Sequence, residues 1–105
     1  MGAMSTPLPF DPVLLRALAE PTRVDLLYAL IRAGGRANVG TLAASVTVDP
    51  SVVSRHLREL HLAGVVRVER RGRERWYTIE LDRLLAHFET IATMLRALRD
   101  SGTCC

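Results

Sequence analysis

The apolar residues change their spacing once, near Gly64, and that change limits what the chain can fold into. Upstream, Val53, Leu57 and Leu60 recur at i, i+4 and i+7 behind Asp49-Pro50, a capping side chain followed by the residue pre-set for a first helical turn. The spacing predicts a helix from about Pro50 to Leu62, ended by Ala63-Gly64. Downstream, Val66 and Val68 alternate with charged residues, Arg71-Gly72-Arg73-Glu74 is turn-like, and Trp76 to Leu81 alternates again. That is a β-hairpin with a basic tip, with Trp76 and Tyr77 on opposite faces of its second strand. Before the helix, Asn38 can cap a shorter one from Val39 to Ser45, with Leu42 and Val46 facing inward and Thr47-Val48 as a tight turn.

The flanks read as helices too. Asp11-Pro12 opens one with the stripe Val13, Leu14, Ala17 and Leu18. Glu20-Pro21 opens a second, with Val24, Leu27, Tyr28 and Ile31 on one face and Gly34-Gly35 at its end. After Asp82, taken as the cap, Leu84, Leu85, Phe88, Ile91, Ala92, Leu95 and Leu98 mark a long amphipathic helix that stops at Ser101-Gly102. The expected fold is α+β and mainly helical: four helices, a hairpin, then a fifth helix, the winged helix-turn-helix arrangement. One domain over 10–100 suits a chain of 105 residues. Residues 1–9 are expected to be a flexible lead-in, with Met1 to Met4 a cloning remnant, and 101–105 a tail. An apolar content of 49% excludes a disordered protein. With no apolar run of membrane-spanning length and no leader peptide, the expected location is the cytoplasm.

Charge is distributed unevenly. All 14 basic residues are Arg, against 11 acidic ones. From Arg55 to Arg75 there are seven Arg against Glu59, Glu69 and Glu74, whereas the rest of the chain is net acidic. Concentrated arginine, whose planar fork matches phosphates and guanine edges, is the footprint of a nucleic-acid face. On the helix behind Pro50, the buried stripe leaves Ser51, Val52, Ser54, Arg55 and Arg58 outside, and short side chains let a helix approach a major groove closely. Arg55 is expected at a base edge or phosphate, Arg58 at a phosphate, and His56 either at a phosphate or in packing. Arg71, Arg73 and Arg75 in the hairpin are expected at the DNA backbone or minor groove.

Five segments carry a family resemblance: Leu18-Ala-Glu-Pro-Thr-Arg23, Val39-Gly-Thr-Leu-Ala43, Pro50-Ser-Val-Val-Ser-Arg-His-Leu57, Leu62-Ala-Gly-Val-Val66 and Arg73-Glu-Arg-Trp-Tyr77. In this order they resemble the ArsR/SmtB family of bacterial transcriptional regulators. The resemblance implies a homodimeric repressor of a metal, metalloid or stress-response operon that binds palindromic double-stranded DNA and releases it on sensing an inducer. It places the dimer interface on the terminal helices, here Leu14, Leu18, Leu84, Leu85, Phe88, Ile91, Leu95 and Leu98. It also implies metal ligands in a Cys-rich block, where this chain reads Arg36-Ala-Asn-Val-Gly40, and on the last helix, where Asp82 is followed by Arg83 and Leu84 and later by Met94, Leu95 and Leu98. Apolar side chains cannot ligate, so neither implied site is intact.

Cys104 and Cys105, adjacent and without a third Cys, form no disulfide framework and read as a reduced thiol pair. They could chelate a trivalent arsenic or antimony species or another soft metal ion, act in redox exchange, or have no role. Ser54 and His56 stand two apart on one helix and cannot face each other as nucleophile and base, so no enzyme is expected. The alternatives left open are a regulator without its own metal site, binding constitutively, activating or working with a partner protein; a thiol redox sensor; and a protein-binding winged-helix module.

Overall fold

The computed structural model describes residues 10–102, and the thiol pair lies outside them. The chain folds as α1 (Pro12–Ala17), α2 (Pro21–Arg32), β1 (Arg36–Asn38), α3 (Val39–Ala44), α4 (Pro50–Leu62), β2 (Val66–Arg71), β3 (Glu74–Ile79) and α5 (Leu81–Asp100). Local chemistry explains most boundaries. Asp11 accepts from the amides of Val13 and Leu14, Glu20 from that of Arg23, and Asn38 from that of Thr41, each satisfying a first-turn donor. At the end of α4 the chain reverses through Gly64, whose φ of +78° suits a residue without a Cβ. The Val65 N–H then returns to the Leu60 carbonyl at 2.9 Å.

The core lies between α1, α2, α3, α4 and one face of the sheet. Leu14, Leu26, Leu30, Leu42, Val53, Leu57, Leu60, Val65 and Val66 are its fully buried side chains, closed by Tyr77 and Ile79. The sheet is antiparallel with strand order β1-β3-β2. Its first strand was not expected, since three residues are too few to show a period; pairing with Trp76 to Thr78 is what makes them a strand. The hairpin loop is only Gly72-Arg73. With Gly72 at φ +61° and no non-glycine residue at positive φ among the described residues, it takes the primed turn with Gly first.

Three expectations are corrected. On α2 the buried residues are Leu26 and Leu30, while Val24, Tyr28 and Ile31 are exposed and Leu27 is half-buried. Both sets have helical spacing, and the neighbours at the core decided between them. The last helix begins at Leu81 with Glu80 at its N-cap, which puts Asp82 inside the first turn. Leu14 is 0% exposed within the protomer, so it belongs to the core and cannot offer surface to a second copy. Leu18 and Leu84 also pack partly against that core. By contrast, α5 has no buried residue, and Leu85, Phe88, Leu95 and Leu98 are exposed. No helix of the described residues is long and apolar enough to cross a membrane.

Candidate nucleic-acid interface

With Val53, Leu57 and Leu60 in the core, α4 turns Ser51, Ser54, Arg55 and Arg58 outward, all exposed, and leaves Val52 half-buried. The hairpin stands beside this face. Two clefts separate them. One, of about 580 Å³, is lined by Ser51, Ser54, Arg55, Arg58, His61, Leu62, Val68, Arg75 and Tyr77. The other, of about 410 Å³, is lined by Asn38, Val39, Gly40, Ser54, Arg70, Arg73, Glu74 and Arg75. Ser54 and Arg75 border both, so the outer face of α4 and the hairpin form one continuous surface.

Strand alternation sorts the hairpin arginines. Val66, Val68 and Arg70 point one way and Arg67, Glu69 and Arg71 the other. Arg70 stands opposite Arg75 in the antiparallel register, next to Val68 opposite Tyr77. Arg71 stands opposite Glu74, with its Nε 3.5 Å from Glu69 Oε2, and lines neither cleft. Arg71 therefore stands on the opposite sheet face from Arg70, which lines the second cleft and was not named from the sequence. Counting the alternation from Val66 through Val68 would have found it. Arg73, at the turn, lines the second cleft.

His56 is in packing, one of its two expected places. Its ring is half-buried toward the start of α2, where Arg23 Nη1 donates to Nδ1 at 3.4 Å and Glu20 Oε1 lies 3.7 Å from Nε2. Arg23 in turn donates from Nε to the Ala17 carbonyl at 2.7 Å. Both ring nitrogens face protein partners, and His56 lines neither cleft. Tyr77 is buried, whereas Trp76 lies on the outer sheet face under the Arg36 guanidinium, 4.6 Å from its centroid, and donates to Glu74 Oε1 at 3.1 Å. Asn38, Val39 and Gly40 are cleft residues that sequence reasoning missed, because only the fold brings the start of α3 beside the hairpin.

The residues at the places where family resemblance implies a metal do not fit one. Arg36 to Asn38 form β1, Leu84 packs on the core, and Met94, Leu95 and Leu98 are exposed apolar side chains. Among the described residues no cluster of three or more His, Cys, Asp or Glu could hold a metal ion.

The model of the arsR family of bacterial regulatory proteins matches residues 20–68. The chain is 45% identical over 74 residues to the HTH-type transcriptional repressor SmtB of Mycobacterium tuberculosis, covering 70% of this chain and 53% of that protein. It spans just over half the length, 53–59%, of the curated relatives it matches. Among solved structures, the AntR antimony-specific transcriptional repressor superposes with a TM-score of 0.62 at 33% identity, over 83% of this chain and 78% of that one. The homodimeric winged helix-turn-helix DNA-binding domain of Mb0332 from Mycobacterium bovis superposes with a TM-score of 0.61 at 27% identity, over 77% and 76% of the two chains. With these blocks, this element order and this extent of likeness, the chain belongs to the ArsR family of bacterial regulatory proteins, with the winged helix-turn-helix fold.

Proposed function

We propose that the chain acts as a dimeric, sequence-specific transcriptional repressor that binds palindromic double-stranded DNA and is released by an inducer from a metal, metalloid or stress-response operon. The observation that carries the DNA part is the gathering of five arginines around the two clefts. Arg55, Arg58 and Arg75 line one cleft and Arg70, Arg73 and Arg75 the other, and none of the five forms a salt bridge among the described residues. Unpaired guanidinium groups beside a helix face of short side chains suit a duplex, with phosphates taken by the hairpin and base edges by α4. The apolar face of α5 supports the dimer, as does the homodimeric Mycobacterium bovis domain. The reading puts the protein in the cytoplasm and gives it no catalytic activity.

The test is a DNA titration at several salt concentrations, on mixed-sequence duplex and on a palindrome selected from randomised DNA. Expected are a preference for the palindrome and a steep loss of affinity with salt as counterion release is suppressed. Salt-insensitive binding, or none, overturns the reading.

In this proposal the inducer is a soft trivalent arsenic or antimony species held by Cys104 and Cys105. Support comes from the thiolate preference of such species and from the named specificity of the AntR neighbour. Two thiolates fill half of a tetrahedral zinc shell, so zinc should bind poorly. The double variant Cys104→Ser, Cys105→Ser should lose release by phenylarsenite; unchanged release rules the pair out.

A further inference from the structure

Since α5 buries none of its residues, a few contacts at its first turns hold its direction against the body. The Glu80 N–H donates to the Val65 carbonyl at 2.9 Å, and Leu84 packs on the core. The remaining link is polar. Arg83 Nη2 lies 2.7 Å from Asp11 Oδ2, while Asp11 Oδ1 caps α1 and the Asp11 N–H donates to His87 Nε2 at 3.0 Å. The same guanidinium covers the backbone that ends α4: a methyl group added at Gly64 would come within 2.9 Å of Arg83 Nη1 and 3.1 Å of its Cζ. One side chain thus touches the cap of α1 and the end of α4 from its place on α5.

In the reading above, α5 joins two copies and α4 reads DNA. The tilt between those helices then sets the separation of the paired reading faces, which must match the spacing of the two half-sites. We propose that Arg83 is a positioning residue: it fixes α4 relative to the dimerisation helices, so that binding to a two-fold symmetric site depends on a side chain outside both DNA clefts. This rests on the proposed dimeric, DNA-binding function. A partly exposed ion pair contributes little to stability, so removing it leaves the protomer folded. Its effect is geometric, because no buried residue of α5 takes over its task.

The experiment compares wild type with Arg83→Gln, Arg83→Lys and Asp11→Asn, the last retaining an oxygen to cap α1. Each is measured on a palindromic duplex selected by the wild type from randomised DNA, on its isolated half-site, and for dimer mass by sedimentation. Arg83→Gln and Asp11→Asn should weaken palindrome binding roughly five- to tenfold, with half-site affinity and dimer mass unchanged. Combining them should cost no more than either alone, because both break one link. Arg83→Lys, which keeps a charge for Asp11, should recover most of the loss. Equal weakening on palindrome and half-site would mean a general structural role and overturn the proposal, as would wild-type affinity in every variant. If the wild type selects no palindrome, the underlying DNA-binding reading fails before any variant is compared, and the positioning role falls with it.

Discussion

Arg70 and Arg75 face each other across the hairpin with no acidic partner among the described residues. Directly opposed like charges destabilise a strand pair, and a phosphate between them removes the penalty. Arg70→Ala should therefore have opposite effects on two measurements. In urea unfolding it should stabilise the free protein by about 0.2–1 kcal/mol. In DNA titration it should weaken binding and lower the slope of log affinity against log salt by about one. Loss of stability in the variant would show that the pair is not repulsive. Arg71→Ala, on the outer face beside Glu69, should leave the slope unchanged. The difference between adjacent arginines was legible in the period of the strand. That His56 lies between Glu20 and Arg23 was not, because those partners are 36 and 33 positions away in the chain.

Elements differ in how firmly their own residues dictate them. The stripe of α4 came out as its spacing indicates, with Val53, Leu57 and Leu60 all at 0% exposure, and Leu57→Ala should cost about 2–5 kcal/mol in the same urea assay. A cost well below that would mean the site collapses around the smaller side chain. α2 is the contrary case, with two apolar faces of helical spacing between which periodicity cannot choose. The hairpin turn rests on Gly72, around which an added Cβ meets nothing within 4 Å, so the strain of Gly72→Ala is purely that of positive φ. It should destabilise the protein by roughly 1 kcal/mol. No measurable change would refute the turn geometry.

For the whole molecule, the exposed face of α5 is the feature a lone protomer leaves unaccounted for. The radius of gyration is 16.4 Å, above the ~13 Å of a compact domain near this size, as expected when a long helix extends past the body. Leu95 is 58% exposed, so Leu95→Glu should leave the protomer's unfolding free energy within about 0.5 kcal/mol of wild type. It should also lower the sedimentation mass from dimer to monomer and remove the preference for a palindrome over a half-site. A dimeric Leu95→Glu protein would place the interface elsewhere.

Residue order alone determined the succession of helices, the tight turn before α4, the hairpin and the concentration of arginine around them. These follow from caps, glycines and periodicity, all of which act within a few positions along the chain. Tertiary structure decided what depends on contacts between distant segments. It chose which apolar face of α2 turns inward, made a strand of Arg36 to Asn38 by pairing it with β3, and took Leu14 into the core. It also brought the start of α3 to the hairpin and Arg83 onto both Asp11 and Gly64. A side chain's direction follows from the period of its own element, but its partner follows from which elements pack together, and no local signal in the sequence encodes that.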